Sequence, residues 1–197
     1  QMSSDAVKLL LTLVIGYLLG SISTGVILSR AFGHKDIRSQ GSGNSGTTNM
    51  LRVMGKKFAL LTFAGDLLKG IIAVLIGKAL LGTQAGEIVG AFGAILGHNF
   101  PLYFGFKGGK AVAVTAGIGL YMDWRLFLIC IGIYLLAFLI KKTASIASLS
   151  GVTFMPITML ILGGFSVSRY VVAIAAVAFV WIMHWPNLVR LAHHEEK

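Results

Sequence analysis

Seven apolar runs dominate this chain of 197 residues and restrict how it can fold. They lie near 7–32, 58–81, 86–104, 111–122, 126–140, 146–165 and 170–185. About 20 apolar residues span the hydrocarbon core of a bilayer as a helix, and these runs lack the alternation of membrane strands. Charged residues form only 12% of the chain, about half the share of a typical soluble domain. We therefore predict an all-α integral membrane protein with seven transmembrane helices. The fourth and fifth runs are short for full spans, which leaves a tilted, a kinked or a partly re-entrant helix open for either of them.

The connections between the runs carry basic residues unequally. One set comprises 33–57, 105–110, 141–145 and the tail after Trp185. The opposite set comprises the amino terminus, 82–85, 123–125 and 163–169. The first set holds eleven Lys and Arg residues and the second holds three. Because basic residues concentrate in cytoplasmic loops, we expect the amino terminus outside, the carboxyl terminus in the cytosol, and one polytopic domain over 1–197.

Composition also excludes several classes of function. A net charge of +10 would suggest nucleic acid in a soluble protein, but here the charges occupy connections where they set orientation and meet anionic headgroups. The single cysteine, Cys130, lies in an apolar run, excludes an internal disulfide and is interpreted as a small buried hydrophobe. The connections hold no paired carboxylates, and no His and Cys residues have metal-ligand spacing. We therefore expect neither a metal nor another cofactor.

The longest connection, 33–57, contains nine consecutive small polar residues at 41–49. Its candidate ligands for a phosphate are Gly41, Ser42, Gly43, Asn44, Gly46, Thr48 and Asn49. Glycines let backbone amides turn towards an anion, and Ser, Thr and Asn add short donors. A helix that begins at Met50 would direct its dipole at the same anion, and Arg52 would supply a bidentate partner. The alternatives are a flexible polar loop and, from the spacing of the glycines, a dinucleotide site; we reject the second because a membrane helix precedes it.

A second candidate site follows the third apolar run, which breaks at Pro101. Lys107, Gly108, Gly109 and Lys110 form a basic glycine-rich turn, in which amides and an ammonium group can share one phosphate. The two lysines also fit a role in membrane orientation alone. His98, just before the break, is either part of this phosphate site or a hydrogen-bonded structural residue.

Two further groups of polar residues interrupt the apolar pattern. His184 and Asn187 lie three residues apart where the last run ends, and they share a helix face if Pro186 begins a helical turn. Their alternative role is an interfacial cap without chemistry. Asp66 and Lys69 lie inside the second run, where ionisable groups are costly, and we interpret them as a structural ion pair or a polar contact to a loop.

The residues supply phosphate ligands but no obvious nucleophile or base. The chain has neither a Gly-x-Ser-x-Gly elbow nor a His followed five residues later by Asp. Three basic or amide-rich corners on one membrane face, beside apolar helices, suggest two phosphates and an acyl chain. This combination favours an electrophile that arrives already activated and catalysis mainly by positioning.

These motifs together resemble one family over nearly the whole chain. They are Gly41-Ser42-Gly43-Asn44 with Gly46 and Thr48-Asn49, Gly55-Lys56-Lys57, Asp66 with Lys69-Gly70, Gly97-His98-Asn99-Phe100-Pro101, Gly105-Phe106-Lys107-Gly108-Gly109-Lys110, and His184, Asn187 and Arg190-Leu191. The chain resembles the bacterial acyl-phosphate glycerol-3-phosphate acyltransferases. The resemblance implies seven helices in the bacterial cytoplasmic membrane, with cytosolic active-site loops 33–57, 105–110 and 184–191.

The same resemblance implies an activity and a division of roles. A fatty acyl group would pass from acyl phosphate to the sn-1 hydroxyl of glycerol 3-phosphate, giving lysophosphatidic acid and phosphate, the first acylation of phospholipid synthesis. Ser42, Arg52 and Lys110 would hold phosphate groups, and His184 and Asn187 would help to hold the substrates. The donor's own phosphate would accept the hydroxyl proton, in agreement with the missing base.

Two other functions remain open from the residues alone. A transporter of anionic solutes would place polar groups near the bilayer midplane, often within repeated half-helices, whereas here they gather at one face. A phosphotransferase acting on lipid alcohols would normally need an acidic metal cluster. We expect acyl phosphate, glycerol 3-phosphate and membrane lipids as partners, with no nucleic acid and no obligate protein partner.

Overall fold

The computed structural model describes residues 4–33 and 35–193, and the regular elements of that part are helices. They are α1 (Ser4–Gly20), α2 (Thr24–Gly33), α3 (Thr47–Met54), α4 (Lys56–Leu81), α5 (Gln84–Asn99), α6 (Val112–Met122), α7 (Trp124–Lys141), α8 (Ala144–Leu162), α9 (Val167–Met183) and α10 (Trp185–Ala192). Short 3₁₀ turns lie at Ile37–Ser39 and Leu102–Phe104. The described residues form two compact units, which divide within α6 between Ile118 and Gly119.

Each of the seven apolar runs contains helix, so the helical prediction is confirmed. Four segments of the described chain are long and apolar enough to cross a membrane. They are Ser4–Gly33, Lys56–Leu81, Trp124–Lys141 and Ala144–Leu162. The pair α9 and α10, bent by 53°, makes a fifth if it is counted as one span.

The first apolar run is broken where the sequence predicts a continuous helix. α1 ends at Gly20 and α2 begins at Thr24. The carbonyl of Ile22, in the break, accepts a hydrogen bond of 2.7 Å from Lys69 Nζ on α4. A backbone group released from a helix inside a membrane needs a partner within the protein. Residue hydropathy does not reveal this break because the partner is distant in the sequence.

Small residues bring α1, α4 and α5 close together in the first unit. A Cβ added to Gly20 on α1 would meet the backbone of Ala94 on α5. A Cβ added to Gly77 on α4 would likewise clash with the carbonyl of Gly86 on α5. Helices in lipid associate largely through close packing of such positions. These contacts hold α5 against α1 and α4, and the second candidate loop follows the end of α5.

The second unit has its own apolar core between α7, α8 and α9. Leu126, Met155, Met159 and Ala173 are buried together there. Cys130 is partly buried and packs against this core, in agreement with its interpretation as a small hydrophobic residue. At the other end of α9, His184 joins that helix to α10.

Candidate active site

Asn49, on the first turn of α3, organises the loop that precedes it. Its side chain is 1% exposed. Its Nδ2 lies within hydrogen-bonding distance of three carbonyls of the loop, at 3.2, 2.9 and 2.8 Å. These carbonyls belong to Ile37, Gln40 and Asn44. Its Oδ1 accepts a hydrogen bond of 2.9 Å from the amide of Ser42. One buried side chain therefore holds main-chain groups before the run and in its first half, which gives the run a defined shape.

Two glycines let the loop adopt this shape. Gly41 and Gly43 have φ values of 58° and 73°, in the left-handed region that favours glycine. Amides of the run donate within the loop: Ser42 to Asn49, Gly43 to a backbone carbonyl, and Gly46 to the side chain of Asn44. The sequence predicts an anion nest from successive amides, but these three are already used. Ligand binding by the loop would then depend on its other donors.

α3 begins three residues earlier than expected. The sequence predicts a helix from Met50, whereas the helix begins at Thr47 with Gly46 as its N-cap. Thr48 and Asn49 therefore lie in its first turn, with the positive end of the dipole beside the glycine run. Arg52 lies on the exposed side of the last turn.

The second loop, 105–110, is held against the end of α5. The carbonyl of Pro101 accepts a hydrogen bond of 2.9 Å from the amide of Phe106. Phe106 and Ala111 have positive φ values of 59° and 57°, which cost non-glycine residues free energy and persist only where surrounding contacts fix them. Lys110, between these residues, is partly buried, whereas Lys107 is exposed. The two lysines are thus carried by a backbone that the fold constrains.

His98 is the support on which this loop rests. Its carbonyl accepts a hydrogen bond of 3.0 Å from the amide of Gly109. A Cβ at Gly109 would meet the His98 ring, and one at Gly108 would meet the His98 carbonyl. The ring is 5% exposed. These contacts favour the structural interpretation of His98 over direct phosphate binding, and they explain why small residues follow Lys107.

A buried ion pair lies behind His98. Lys69 Nζ and Asp66 Oδ1 are 2.8 Å apart, with side chains 7% and 2% exposed. The structural ion pair expected within the second run is therefore present. Thr24 Oγ1 donates to the same carboxylate at 3.2 Å, and His98 Nδ1 lies 3.8 Å from it. The pair thus links α2 and α4 to the residue that supports the second loop.

Arg38 connects the two loops, a contact that sequence reasoning missed. Its Nη1 donates to the carbonyls of Phe104 and Lys107, the latter at 2.9 Å. Its Nε and Nη2 donate to Asp36 at 3.0 and 2.8 Å. The hydrogen bond from Arg38 holds the pKa of the Asp36 carboxyl well below its usual range. The Asp-x-Arg spacing signals such a pair, but nothing in the sequence shows that its acceptors lie 66 and 69 residues away.

The third group of candidate residues lies in the second unit. His184 and Asn187 are 3% and 6% exposed, and the predicted helical turn at Pro186 is present as the start of α10. Nδ1 of His184 lies 2.8 Å from the carbonyl of Val180. Because a carbonyl only accepts, we assign the proton of that hydrogen bond to Nδ1. The other ring nitrogen of a neutral His184 is then an acceptor.

The first unit carries groups of the kind that bind anions. Arg52, Lys107 and Lys110 carry charges on or beside glycine-rich loops, and Arg and Lys are the usual phosphate partners in proteins. Residues 4–33 and 35–193 contain no group of three or more His, Cys, Asp or Glu side chains that could hold a metal ion.

Comparisons with known proteins agree with this chemistry. A family model described as glycerol-3-phosphate acyltransferase matches residues 10–194. A glycerol-3-phosphate acyltransferase of Streptococcus thermophilus is 38% identical over 196 residues, which cover 96% of this chain and 92% of that protein. Another, from Lactiplantibacillus plantarum, is 40% identical over 197 residues, with coverage of 96% and 91%. A third, from Pseudomonas putida, is 50% identical over 137 residues, with coverage of 69% and 72%.

Two solved structures are similar to the whole chain. One is the crystal structure of PlsY (YgiH), an integral membrane glycerol 3-phosphate acyltransferase, in its glycerol 3-phosphate form. Its TM-score is 0.89 at 34% identity, covering 96% of this chain and 94% of that one. The lysophosphatidic acid form has a TM-score of 0.87 at 32% identity, with the same coverage.

Proposed function

The chain belongs to the glycerol-3-phosphate acyltransferase family, and from this membership we propose its donor, its product and the roles of its residues. The donor is an acyl phosphate. The acceptor is the sn-1 hydroxyl of glycerol 3-phosphate, and the products are lysophosphatidic acid and inorganic phosphate. The enzyme is an integral membrane protein that carries out the first acylation of phospholipid synthesis.

The observation that carries this proposal is the pairing of two basic, glycine-rich loops by Arg38. A reaction between acyl phosphate and glycerol 3-phosphate brings two phosphate groups together, and like charges repel strongly when they are removed from water. Cations on two connected loops offset that repulsion. Arg52 belongs to the first loop and Lys110 to the second.

The proposed reaction needs no base from the protein. The hydroxyl oxygen of glycerol 3-phosphate attacks the carbonyl carbon of the donor and forms the new ester bond. The bond between that carbon and the phosphate oxygen breaks, and the phosphate leaves with the bonding electrons. The departing phosphate takes up the hydroxyl proton. Arg52 and Lys110 would contribute by holding phosphate groups and offsetting the developing charge.

Residue roles follow the family motifs. Ser42 would join Arg52 and Lys110 as a phosphate ligand, and the remaining proposed ligands are Gly41, Asn44, Thr48, Lys107 and Gly108. In the second unit, His184 and Asn187 would help to hold the substrates, and their low exposure suits fixed orientations. Five other candidates would act by shaping the loops, because the contacts described above use their polar groups within the protein: Gly43, Gly46, Asn49, His98 and Gly109.

The proposed topology has seven spans in the bacterial cytoplasmic membrane. The amino terminus would lie outside, and the loops 33–57, 105–110 and 184–191 would lie in the cytosol. The support is the division of basic residues between connections, eleven against three. Both substrates would then be bound at the cytosolic face, in a single polytopic domain that needs neither a cofactor nor an obligate protein partner.

Purified protein in detergent tests the proposal directly. Glycerol 3-phosphate is supplied with either palmitoyl phosphate or palmitoyl-CoA, and lysophosphatidic acid and phosphate are measured. We expect product with the acyl phosphate alone and an unchanged rate in EDTA. Activity only with the thioester would contradict the proposed donor. Folded protein that is inactive with both donors would favour transport, and inhibition by EDTA that Mg²⁺ reverses would contradict the metal-free reaction.

A further inference from the structure

Asp36 and Arg38 lie outside the glycine run, yet hydrogen bonds of Arg38 connect the first loop to the second. The guanidinium group of Arg38 donates hydrogen bonds to two sets of acceptors. Nε and Nη2 bind the Asp36 carboxylate, and Nη1 binds the carbonyls of Phe104 and Lys107. A guanidinium is planar and rigid, so acceptors at its two edges are held in a fixed relation to each other.

The Asp36 end of this connection is itself anchored. The carboxylate accepts the backbone amide of Arg38 at 3.0 Å and a hydrogen bond of 2.8 Å from Arg30 on α2. Ile37, between Asp36 and Arg38 in the sequence, is 1% exposed. Its amide donates a hydrogen bond of 3.0 Å to Ser29 Oγ on α2. The start of the first loop is thus fixed to α2 before the glycine run begins.

At the other end of this connection, Arg38 Nη1 binds main-chain carbonyls near the start of the second loop. The carbonyls of Phe104 and Lys107 enclose the turn from which Gly108, Gly109 and Lys110 continue. The ring of Phe104 adds a contact with Arg38, whose guanidinium carbon lies 5.8 Å from the ring centroid. The Arg38 side chain is 19% exposed, so its charge-assisted hydrogen bond to the Phe104 carbonyl is shielded from water in part and is correspondingly stronger.

We propose that Asp36 and Arg38 are positioning residues that set the distance between the two phosphate-binding loops, and that Arg38 does so without binding substrate. This inference rests on the proposed function, because the binding of two phosphate groups by these loops is part of that function. Replacing Arg38 would remove the hydrogen bonds between the two loops, although the second loop would still contain Lys107 and Lys110. A small misplacement of a substrate-binding group can lower an enzymatic rate by about 100-fold.

Arg30 offers a matched control. Its guanidinium also pairs with Asp36 at 2.8 Å and also lies over Phe104, at 5.5 Å from the centroid. It differs from Arg38 in donating to neither Phe104 nor Lys107. Arg30→Gln therefore removes a cation, an ion pair and a ring contact from the same network. It leaves both hydrogen bonds to the second loop, and the hydrogen bond from the Ile37 amide to Ser29 still fixes the first loop to α2.

The test compares Arg38→Gln, Arg38→Lys and Arg30→Gln by kinetics and by hydrogen exchange of the peptide 102–110. For Arg38→Gln we expect KM for at least one substrate to rise about tenfold or more, and exchange to accelerate in this peptide more than in the rest of the chain. Arg30→Gln should keep both KM values within about threefold. A general loss of folded protein would lower kcat alone and leave KM unchanged.

Arg38→Lys distinguishes geometry from charge. A lysine keeps the cation but cannot reach both sets of acceptors with one rigid group, so we expect it to share the KM and exchange defects. Wild-type KM and slow exchange in Arg38→Lys would overturn the proposal in favour of a simple cationic role. Normal KM and normal exchange in Arg38→Gln would overturn it outright. If the wild type lacks acyl transfer, the proposed function fails, and hydrogen exchange alone still decides whether Arg38 fixes the second loop.

Discussion

Arg52 lies on the exposed side of α3, at the end of the loop that Asn49 holds in shape. Because Arg52 is outside the apolar core, Arg52→Ala should remove a phosphate contact without unfolding the protein. A hydrogen bond to a charged group contributes about 1.5–3 kcal/mol, so we expect kcat/KM to fall roughly 10- to 100-fold at an unchanged melting temperature. Near-normal turnover would contradict the assignment of Arg52.

The buried pair of Asp66 and Lys69 leads to a prediction about stability. Asp66→Asn leaves Lys69 charged without its carboxylate, and removing one member of a buried pair costs about 3–5 kcal/mol. We expect a marked fall in melting temperature in detergent, and partial recovery in the double variant Asp66→Asn with Lys69→Gln. Arg125→Gln, which removes an exposed pair with Asp123, is the control and should change stability by less than about 1 kcal/mol. Equal effects of the two single variants would contradict this account.

Individual residues differ in how far the sequence revealed them. The charges of Arg52 and Lys110 and the pairing of Asp66 with Lys69 follow from local rules of spacing and membrane cost. Arg38 appeared only as a loop cation, because its acceptors are backbone carbonyls that any sequence would supply. A contact with main-chain atoms far along the chain leaves no pattern in residue types.

At the scale of elements, the second loop depends on the close approach of its glycines to α5. Gly109→Ala would place a Cβ against the His98 ring, so the loop must shift and carry Lys110 with it. We expect kcat/KM to fall by about 10- to 100-fold.

Gly132→Ala, on α7, is the matched control, because nothing lies within 4 Å of its added Cβ. It should leave activity unchanged and stabilise the helix by up to about 1 kcal/mol. Normal kinetics in Gly109→Ala would show that the contact with His98 does not fix the loop.

Helices were easier to predict than their interruptions. The apolar runs indicate helix because the bilayer requires internal hydrogen bonds. The start of α3 at Thr47 was missed because threonine and asparagine also suit loops. The break before α2 was missed because its residues remain apolar or small, and because Lys69, which satisfies the Ile22 carbonyl, lies 47 residues away.

At the scale of the whole molecule, the division of basic residues predicts orientation. In a background in which Cys130 is replaced by Ala, Lys56→Cys should lie in the cytosol and Val167→Cys outside. A maleimide that does not cross membranes should label Val167→Cys in intact spheroplasts and Lys56→Cys only after lysis. The opposite labelling would contradict the proposed topology.

The hydrogen bonds of Asn49 and Arg38 to main-chain atoms have an evolutionary consequence. The shape of both loops depends on these two side chains. The contacts described for Ser42 and Lys107, in contrast, use only their backbone groups. Under the proposed roles of Ser42 and Lys107, mutation of either residue would change affinity for the ligand while the loop conformation survives. Selection has room to adjust substrate preference at such positions, and little room at Asn49, where one codon change would disturb Ile37, Gln40, Ser42 and Asn44 together.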